Sequence, residues 1–254
     1  MARGKRYREA YEQIDRTKAY PPAEAIALLK QTAGAKFDET VELHVRLGVN
    51  VRHAEEQLRG TLALPRGLGK DVTIAVFAEG DAARQATEAG ANFVGSDDLA
   101  ERIEGGWTDF DVAIAHPSQM PKVGKLGRVL GPQGKMPNPK VGTVTEEIAK
   151  AVDEAKAGKV EYRTDRQAIV HLAIGKTSFS EADLLENYAA VIEEIIRAKP
   201  AAAKGRYILS ITITATMGPG IRVDAGRIRR GEIMLRAGAP EETTAEEAEE
   251  VATA

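Results

Sequence analysis

Five cations stand in one acid-free stretch of this chain: Lys122, Lys125, Arg128, Lys135 and Lys140 all fall between residues 117 and 142, among five prolines and five glycines. Prolines at that density exclude a regular helix or a central strand, and a structureless loop of such length is usually functional or disordered. Lys and Arg on a loop without carboxylates suit phosphate contacts; a solvated loop with incidental charge is the other reading. Two further stretches carry similar chemistry. Lys36-Phe37-Asp38-Glu39-Thr40 places a cation and an aromatic just before a strand. Phe37 could stack on a base or sugar with Lys36 on phosphate, or it could simply fasten the strand to the core. Thr216-Met217-Gly218-Pro219-Gly220 closes a strand with a hydroxyl face. Gly218 would let another backbone approach and Thr216 could donate to phosphate or a 2′-hydroxyl; an ordinary strand-ending turn is the alternative.

Other chemistries find less support. Gly175-Lys176-Thr177 has the end of a phosphate-binding loop, but Val170 stands where its first glycine belongs. Gly134-Lys135 fails likewise, with Val129 at that position and Met136 following, and the pair Gly67 and Gly69 is followed by Val72 where a dinucleotide fingerprint needs glycine. The missing glycines remove the backbone cradle on which phosphate binding rests. His44, His53, His116 and His171 lack metal-ligand spacing, and His171 reads as a packed or half-exposed structural residue. No carboxylates are paired by the sequence for acid/base work. The expectation is a protein with no catalytic residues, no metal and no cofactor.

The elements that must position these groups read as two kinds. The middle third alternates strands and helices: an apolar run over residues 72–78, a helix over 81–89 stopped by Gly90, a short strand at 92–94, a helix from Ser96 or Asp97 to Glu104, and a strand over 111–116 ended by Pro117. Thr143 and Glu146, at capping-box spacing, are expected to open a helix through Lys156. This is a small Rossmann-like sheet. The two ends differ. Val41, Leu43, Val45, Leu47 and Val49 alternate with polar residues, as do Tyr207, Leu209, Ile211, Ile213 and Ala215, the mark of half-buried antiparallel strands. A strand at 168–174 and a helix capped by Ser180, with Leu184, Tyr188, Val191, Ile192 and Ile195 on one face, complete that part. The fold class expected is therefore α/β plus α+β in two domains: a discontinuous α+β domain with an antiparallel sheet at 1–67 plus 160–228, an inserted Rossmann-like α/β domain at 68–159, and an acidic tail at 229–254 expected to be disordered. Glycines near 65–70 and Gly158 suit the two crossings, and two crossings permit hinge motion.

Composition sets few further limits. Hydrophobic residues make up 43% of the 254, enough for sizeable cores. The chain lacks cysteine, which removes disulfides and thiolate chemistry. No apolar run approaches the roughly 20 residues of a membrane span, and acids follow the basic N-terminus where a secretion signal would be apolar, so a cytoplasmic location is expected. Net charge is −3, yet the last eighteen residues hold six Glu and no Lys or Arg. Without them 35 basic residues face 32 acidic ones, so local clustering decides, not the total.

The run Leu126-Gly127-Arg128-Val129-Leu130-Gly131-Pro132-Gln133-Gly134-Lys135-Met136-Pro137-Asn138-Pro139-Lys140 closely resembles the signature of the bacterial large-subunit ribosomal protein L-one family. The segments from Lys36 to Glu42, Arg59 to Thr61, Gly105 to Trp107 and Thr216 to Pro219 are similar to the same family in the same order, over about residues 1–223. The resemblance implies two domains, the first built from both chain ends and making the main contact with large-subunit ribosomal RNA (rRNA) in the mobile stalk beside the tRNA exit site. It implies a part in release of deacylated exit-site tRNA, repression of the protein's own mRNA, a monomer off the ribosome, and no membrane or small-molecule substrate. Carried over by position, the rRNA contacts are Lys36, Phe37, Thr40, Arg163, Thr164, Asp165, Arg166, Gln167, Lys176, Ser178, Thr216, Met217, Gly218 and Pro219. The five cations of the 117–142 run become secondary RNA contacts, to tRNA or other stalk elements. Arg227-Ile228-Arg229-Arg230 and the acidic tail exceed the usual family length. The rivals are a nucleotide-binding enzyme on the Rossmann-like part and a free repressor with no ribosomal role.

Overall fold

The computed structural model describes residues 4–226, the side chain of Lys140 excepted. The Arg227 extension and the acidic tail lie outside the described residues. Helices α1 (Lys5–Glu12) and α2 (Pro22–Thr32) precede strand β1 (Thr40–Leu47) and β2 (Arg59–Ala63). The middle runs β3 (Ile74–Phe77), α3 (Asp81–Glu88), β4 (Phe93–Gly95), α4 (Asp97–Glu104), β5 (Val112–Ala115), α5 (Met120–Lys125), α6 (Gly127–Leu130) and α7 (Ile148–Lys156). The chain then returns through β6 (Lys159–Arg163), β7 (Ile169–Lys176), α8 (Glu181–Arg197), β8 (Ile208–Ala215) and β9 (Ile221–Val223).

This is a mixed α/β fold with a four-stranded antiparallel sheet, a three-stranded parallel sheet and a two-stranded antiparallel ribbon. The antiparallel sheet has the order β7-β1-β8-β9, so its central strand comes from the N-terminal part and its neighbours from the C-terminal part. Alternation explains its sidedness. Val41, Leu43, Val45 and Leu47 are buried and share one core with Ile26 and Leu29 of α2 and Leu184, Tyr188, Val191 and Ile192 of α8. Ser180 caps α8 as the sequence suggests, its hydroxyl accepting from the Asp183 N–H. The opposite face carries His44, Ser210, Thr212, Thr214 and His171. Both helices pack behind the sheet, which leaves that polar face outward.

The parallel sheet has the order β4-β3-β5. All four residues of β3 are buried, because a separate cluster covers each face: α4, α5 and α6 against Phe77 and Ala115, and α3 and α7 against Val76 and Ile114. Between the two sheets the outgoing β2 and the returning β6 pair antiparallel, Arg59 opposite Arg163 through Ala63 opposite Lys159. Just beyond that ribbon Gly67 and Gly158 have φ of +64° and +91°, and a Cβ on Gly158 would stand 2.8 Å from the Gly67 Cα. Glycine is required at that crossing both for its conformation and for the closeness of the two backbones. Asn187, fully buried on α8, anchors the outgoing segment: its Oδ1 accepts from the Arg66 N–H at 3.0 Å and its Nδ2 donates to the Gly67 carbonyl at 3.1 Å and the Ile174 carbonyl at 2.8 Å.

Three expectations need correction. The stretch 117–142 is not a structureless loop: it forms α5, α6 and short 3₁₀ turns at Pro117–Gln119 and Pro139–Val141, and buries Val123, Leu126 and Leu130. Its prolines are tolerated because Pro117 and Pro121 fall in first turns, where no helical N–H is lost. The Thr143–Glu146 capping box does not form. Thr143 is held by Asn138, whose N–H donates to its hydroxyl at 2.8 Å, and Val144 bridges to Ala115, so α7 opens only at Ile148. Finally, Leu209 points outward, 40% exposed. Arg46 pairs with Ser210 and Leu47 with Ile208, so Leu209 is the extra residue of a β-bulge and leaves the alternation.

Among the described residues one buried side-chain polar atom lacks a partner, the Tyr188 hydroxyl. Burial pushes its pKa up. Replacing Tyr188 by Phe removes an unsatisfied group from the core and should stabilise the protein by about 1 kcal/mol, read as a higher urea midpoint at unchanged slope; a lower midpoint would show that a bound water satisfies the hydroxyl.

Candidate nucleic-acid interface

At one end of the antiparallel sheet, the start of β1, the end of β7 and the end of β8 converge. Thr40 lies opposite Lys176, and Val41 opposite Ala215. Lys176 Nζ donates to the Thr40 hydroxyl at 2.8 Å. The Thr40 N–H donates to the Thr216 hydroxyl at 3.0 Å, and the Thr216 N–H to the Thr40 carbonyl at 3.1 Å. Phe37 and Met217 stand here 56% and 52% exposed, two of only four large apolar side chains exposed among the described residues. Lys36 is exposed beside them in sequence. Ser178 is exposed but its hydroxyl is engaged with Asp38 at 2.8 Å. Hydrogen bonds from Ser178 and Thr177 hold the Asp38 carboxyl below its usual range, against the opposing effect of burial.

A residue that carries no motif of its own organises this end. Glu39 is buried, 2% exposed. Its carboxylate accepts the Ala35 N–H through Oε1 and the Met217 N–H through Oε2, both at 2.8 Å. It thereby fixes the turn that presents Lys36 and Phe37 against the turn that presents Met217 and Gly218. The signal was present in the sequence: Glu39 stands in phase with Val41, Leu43 and Val45, the inward positions of the strand.

The second group of expected contacts lies elsewhere. Residues 164–168 form the turn from β6 to β7, at the opposite end of the sheet. The seven steps of β1 separate the two ends by roughly 23 Å at about 3.3 Å per residue. Arg163, Arg166 and Gln167 are exposed there, whereas Thr164 is buried, its N–H donating to the Leu58 carbonyl at 3.0 Å. Pro219 is buried too, at the first end. Thr164 and Pro219 therefore shape their turns rather than present side chains. Asp165 serves the turn as well, accepting from the Gln167 and Ile169 N–H groups at 2.8 and 2.7 Å. Arg163 and Arg166 line a hollow together with Asp165 and with Arg52, a cation that no motif in the sequence marks. The polar sheet face connects the two ends. At its centre the Nδ1 atoms of His44 and His171 lie 2.8 Å apart, one donating to the other.

The cations of the 117–142 run divide. Lys122 Nζ lies 2.9 Å from Glu79, Ser96 and Asp97 alike; hydrogen bonds from Ser96 and Lys122 lower the Glu79 carboxyl to about 2. Lys135 Nζ donates to the Thr108 carbonyl at 2.8 Å and lies over the Phe110 ring. Both cations hold the parallel-sheet part together. Lys125 and Arg128 are exposed and make no ion pair among the described residues. Nothing resembling a metal centre accompanies them: no group of three or more His, Asp or Glu among the described residues is placed to hold an ion. No helix among these residues is long and apolar enough to cross a membrane.

A sheet with helices on one face, a polar outward face and cations with exposed apolar groups at its ends is an arrangement of the kind that suits contact with nucleic acid. The comparison with known sequences is specific: residues 29–219 match the Ribosomal protein L1p/L10e family, and the chain belongs to that family, whose members are structural ribosomal proteins without enzymatic activity. The large ribosomal subunit protein uL1 of Thermobifida fusca (strain YX) is 57% identical over 229 residues, covering 90% of this chain and 97% of its relative.

Two outcomes follow. Glu39→Ala strands the Ala35 and Met217 N–H groups and should cost about 2 kcal/mol in urea unfolding; a midpoint equal to wild type would mean that water replaces the carboxylate. Burial, then the neighbouring His171, push the His44 imidazole below its usual 6.5, with Glu42 opposing. A lowered histidine pKa means that the unfolded chain binds the proton first. Stability is therefore complete above pH 6.5 and falls as pH drops below it. The pH dependence of the urea midpoint between pH 8 and pH 5 should lose this component in H44Q.

Proposed function

We propose that this protein binds large-subunit rRNA through the outward face and ends of its antiparallel sheet, as a constituent of the mobile stalk of the large ribosomal subunit. The observation that carries the reading is the convergence of Lys36, Phe37, Thr40, Lys176, Thr216, Met217 and Gly218, far apart in sequence, at one sheet end held by Glu39. Backbone and hydroxyl groups there suit recognition of RNA shape and 2′-hydroxyls, while the flanking cations suit phosphate. Arg163, Arg166 and Gln167 extend the contact at the other end of the sheet.

The antiparallel part, 1–67 plus 160–228, is one domain in this reading and 68–159 an inserted second, free to move about the β2–β6 crossing. The separate cores and the two adjacent glycine crossings support that division. The second domain offers Lys125 and Arg128 to exit-site tRNA or stalk RNA. Membership of the family supports two further roles, help in releasing deacylated tRNA and repression of the protein's own mRNA.

Chemical footprinting of large-subunit rRNA with and without the protein tests the central claim, and an unchanged pattern would overturn it. Within it, Lys36→Gln should weaken binding to the stalk rRNA fragment and reduce the log–log salt slope by about one unit. Thr216→Val removes the hydroxyl that receives the Thr40 N–H and should cost about 1 kcal/mol of affinity. Filter binding over a salt series measures both.

A further inference from the structure

The outward sheet face does not end at β8. Helix α1 lies beside β8 and β9 and leaves an open hollow of about 710 Å³ against them, within the roughly 300–1,000 Å³ of small-ligand sites. One wall is aromatic: Tyr7 and Tyr11, one helical turn apart, stack with ring centroids 6.0 Å apart and planes 27° apart. The Arg16 guanidinium lies 5.2 Å from the Tyr11 ring centre. The other wall is the sheet, where Thr212 stands opposite Arg222 in register. Gly220 keeps the floor flat, since a Cβ there would stand 3.0 Å from the Thr212 methyl. Arg16 and Arg222 make no ion pair among the described residues. The acid of the lining, Asp15, has its Oδ1 engaged by the Thr17 N–H and hydroxyl at 2.9 and 2.7 Å. The aromatic wall is fixed in place: Ala10 and Ile14 are buried, and Arg6 donates to the Gly34 carbonyl at 2.9 Å.

We propose that this hollow is a subsite for one unpaired nucleotide of the bound RNA, its base stacked on the Tyr7–Tyr11 wall and its phosphate met by Arg222 and Arg16. An aromatic platform flanked by guanidinium groups is the arrangement that holds single-stranded bases without regard to sequence. Thr212 and Thr216 lie four residues apart on one strand, roughly 13 Å at about 3.3 Å per residue. A strand of RNA gripped at Thr216 thus passes within reach of the hollow. The inference rests on the RNA-binding reading above and adds a contact made by the N-terminal helix.

The test uses the full-length protein and the stalk rRNA fragment. Tyr11→Leu keeps an apolar side chain for helix packing but loses the π-face; Tyr11→Phe keeps both. Tyr11→Leu should weaken binding roughly tenfold while Tyr11→Phe stays within twofold of wild type, and ultraviolet crosslinking should join RNA to the segment 7–16. Leu binding like wild type, or Leu and Phe weakening binding equally, would overturn the subsite, as would crosslinks confined to other segments. Failure of the wild-type protein to bind the fragment at all would instead sink the RNA-binding reading, so the two failures are distinct.

Discussion

The chain leaves its first core near residue 64 and must come back to it, and the way it does so governs the rest. β1, made early, is the central partner for β7 and β8, made more than a hundred residues later. The outgoing and returning segments that allow those pairings travel together as the β2–β6 ribbon, with Gly67 against Gly158 and the outgoing segment tied to α8 through Asn187. A buried amide with both ends satisfied fixes one geometry and penalises the alternatives. Here it fixes where an entire parallel-sheet unit departs. That unit can be complete in itself, with its own two clusters, because nothing of its core has to be supplied by the sheet it interrupts.

The same economy appears at the sheet end. Three segments that meet there have no covalent reason to do so, and one carboxylate replaces what a longer strand would otherwise supply. Glu39 is an ionisable group at a position where the strand pattern calls for an apolar one. Its burial is tolerated because two backbone N–H groups, from Ala35 and Met217, face it directly. The exposed neighbours, Lys36, Phe37 and Met217, inherit their positions from that inward residue. On the second unit, by contrast, positive charge is partly consumed at home: Lys122 answers Glu79 and Asp97, and Lys135 answers a carbonyl and a ring.

Much of the architecture was legible in the sequence where a single periodicity ruled. Val41 to Leu47 could only be a half-buried strand, and Ser180 with the Leu184–Ile195 stripe could only open a long amphipathic helix. The glycines at 67 and 158 do take the positive φ for which glycine is suited. Legibility failed where a local rule met a longer-range contact. The Thr143–Glu146 spacing promised a cap, but Asn138 had already claimed the Thr143 hydroxyl. Leu209 kept the alternation on paper and lost it to a bulge forced by pairing with β1. Proline density in 117–142 suggested a loop, whereas position within first turns decided the matter. At the candidate site the chemistry of Lys36, Phe37 and Thr216 was readable, but their meeting was not. Arg52 could not be joined to Arg163 and Arg166 without knowing which turns lie side by side. Family resemblance supplied positions, but not the separation of those positions into two ends of one sheet.

The exposure of Phe37 and Met217 has a thermodynamic corollary. Two large apolar side chains that stand outward at one sheet end leave their apolar surface in contact with water in the free protein. A partner that covers them releases that water, and release of apolar hydration lowers the heat capacity of the complex. Association at this edge should therefore grow more enthalpic as temperature rises, a dependence that a purely ionic grip on phosphates would lack.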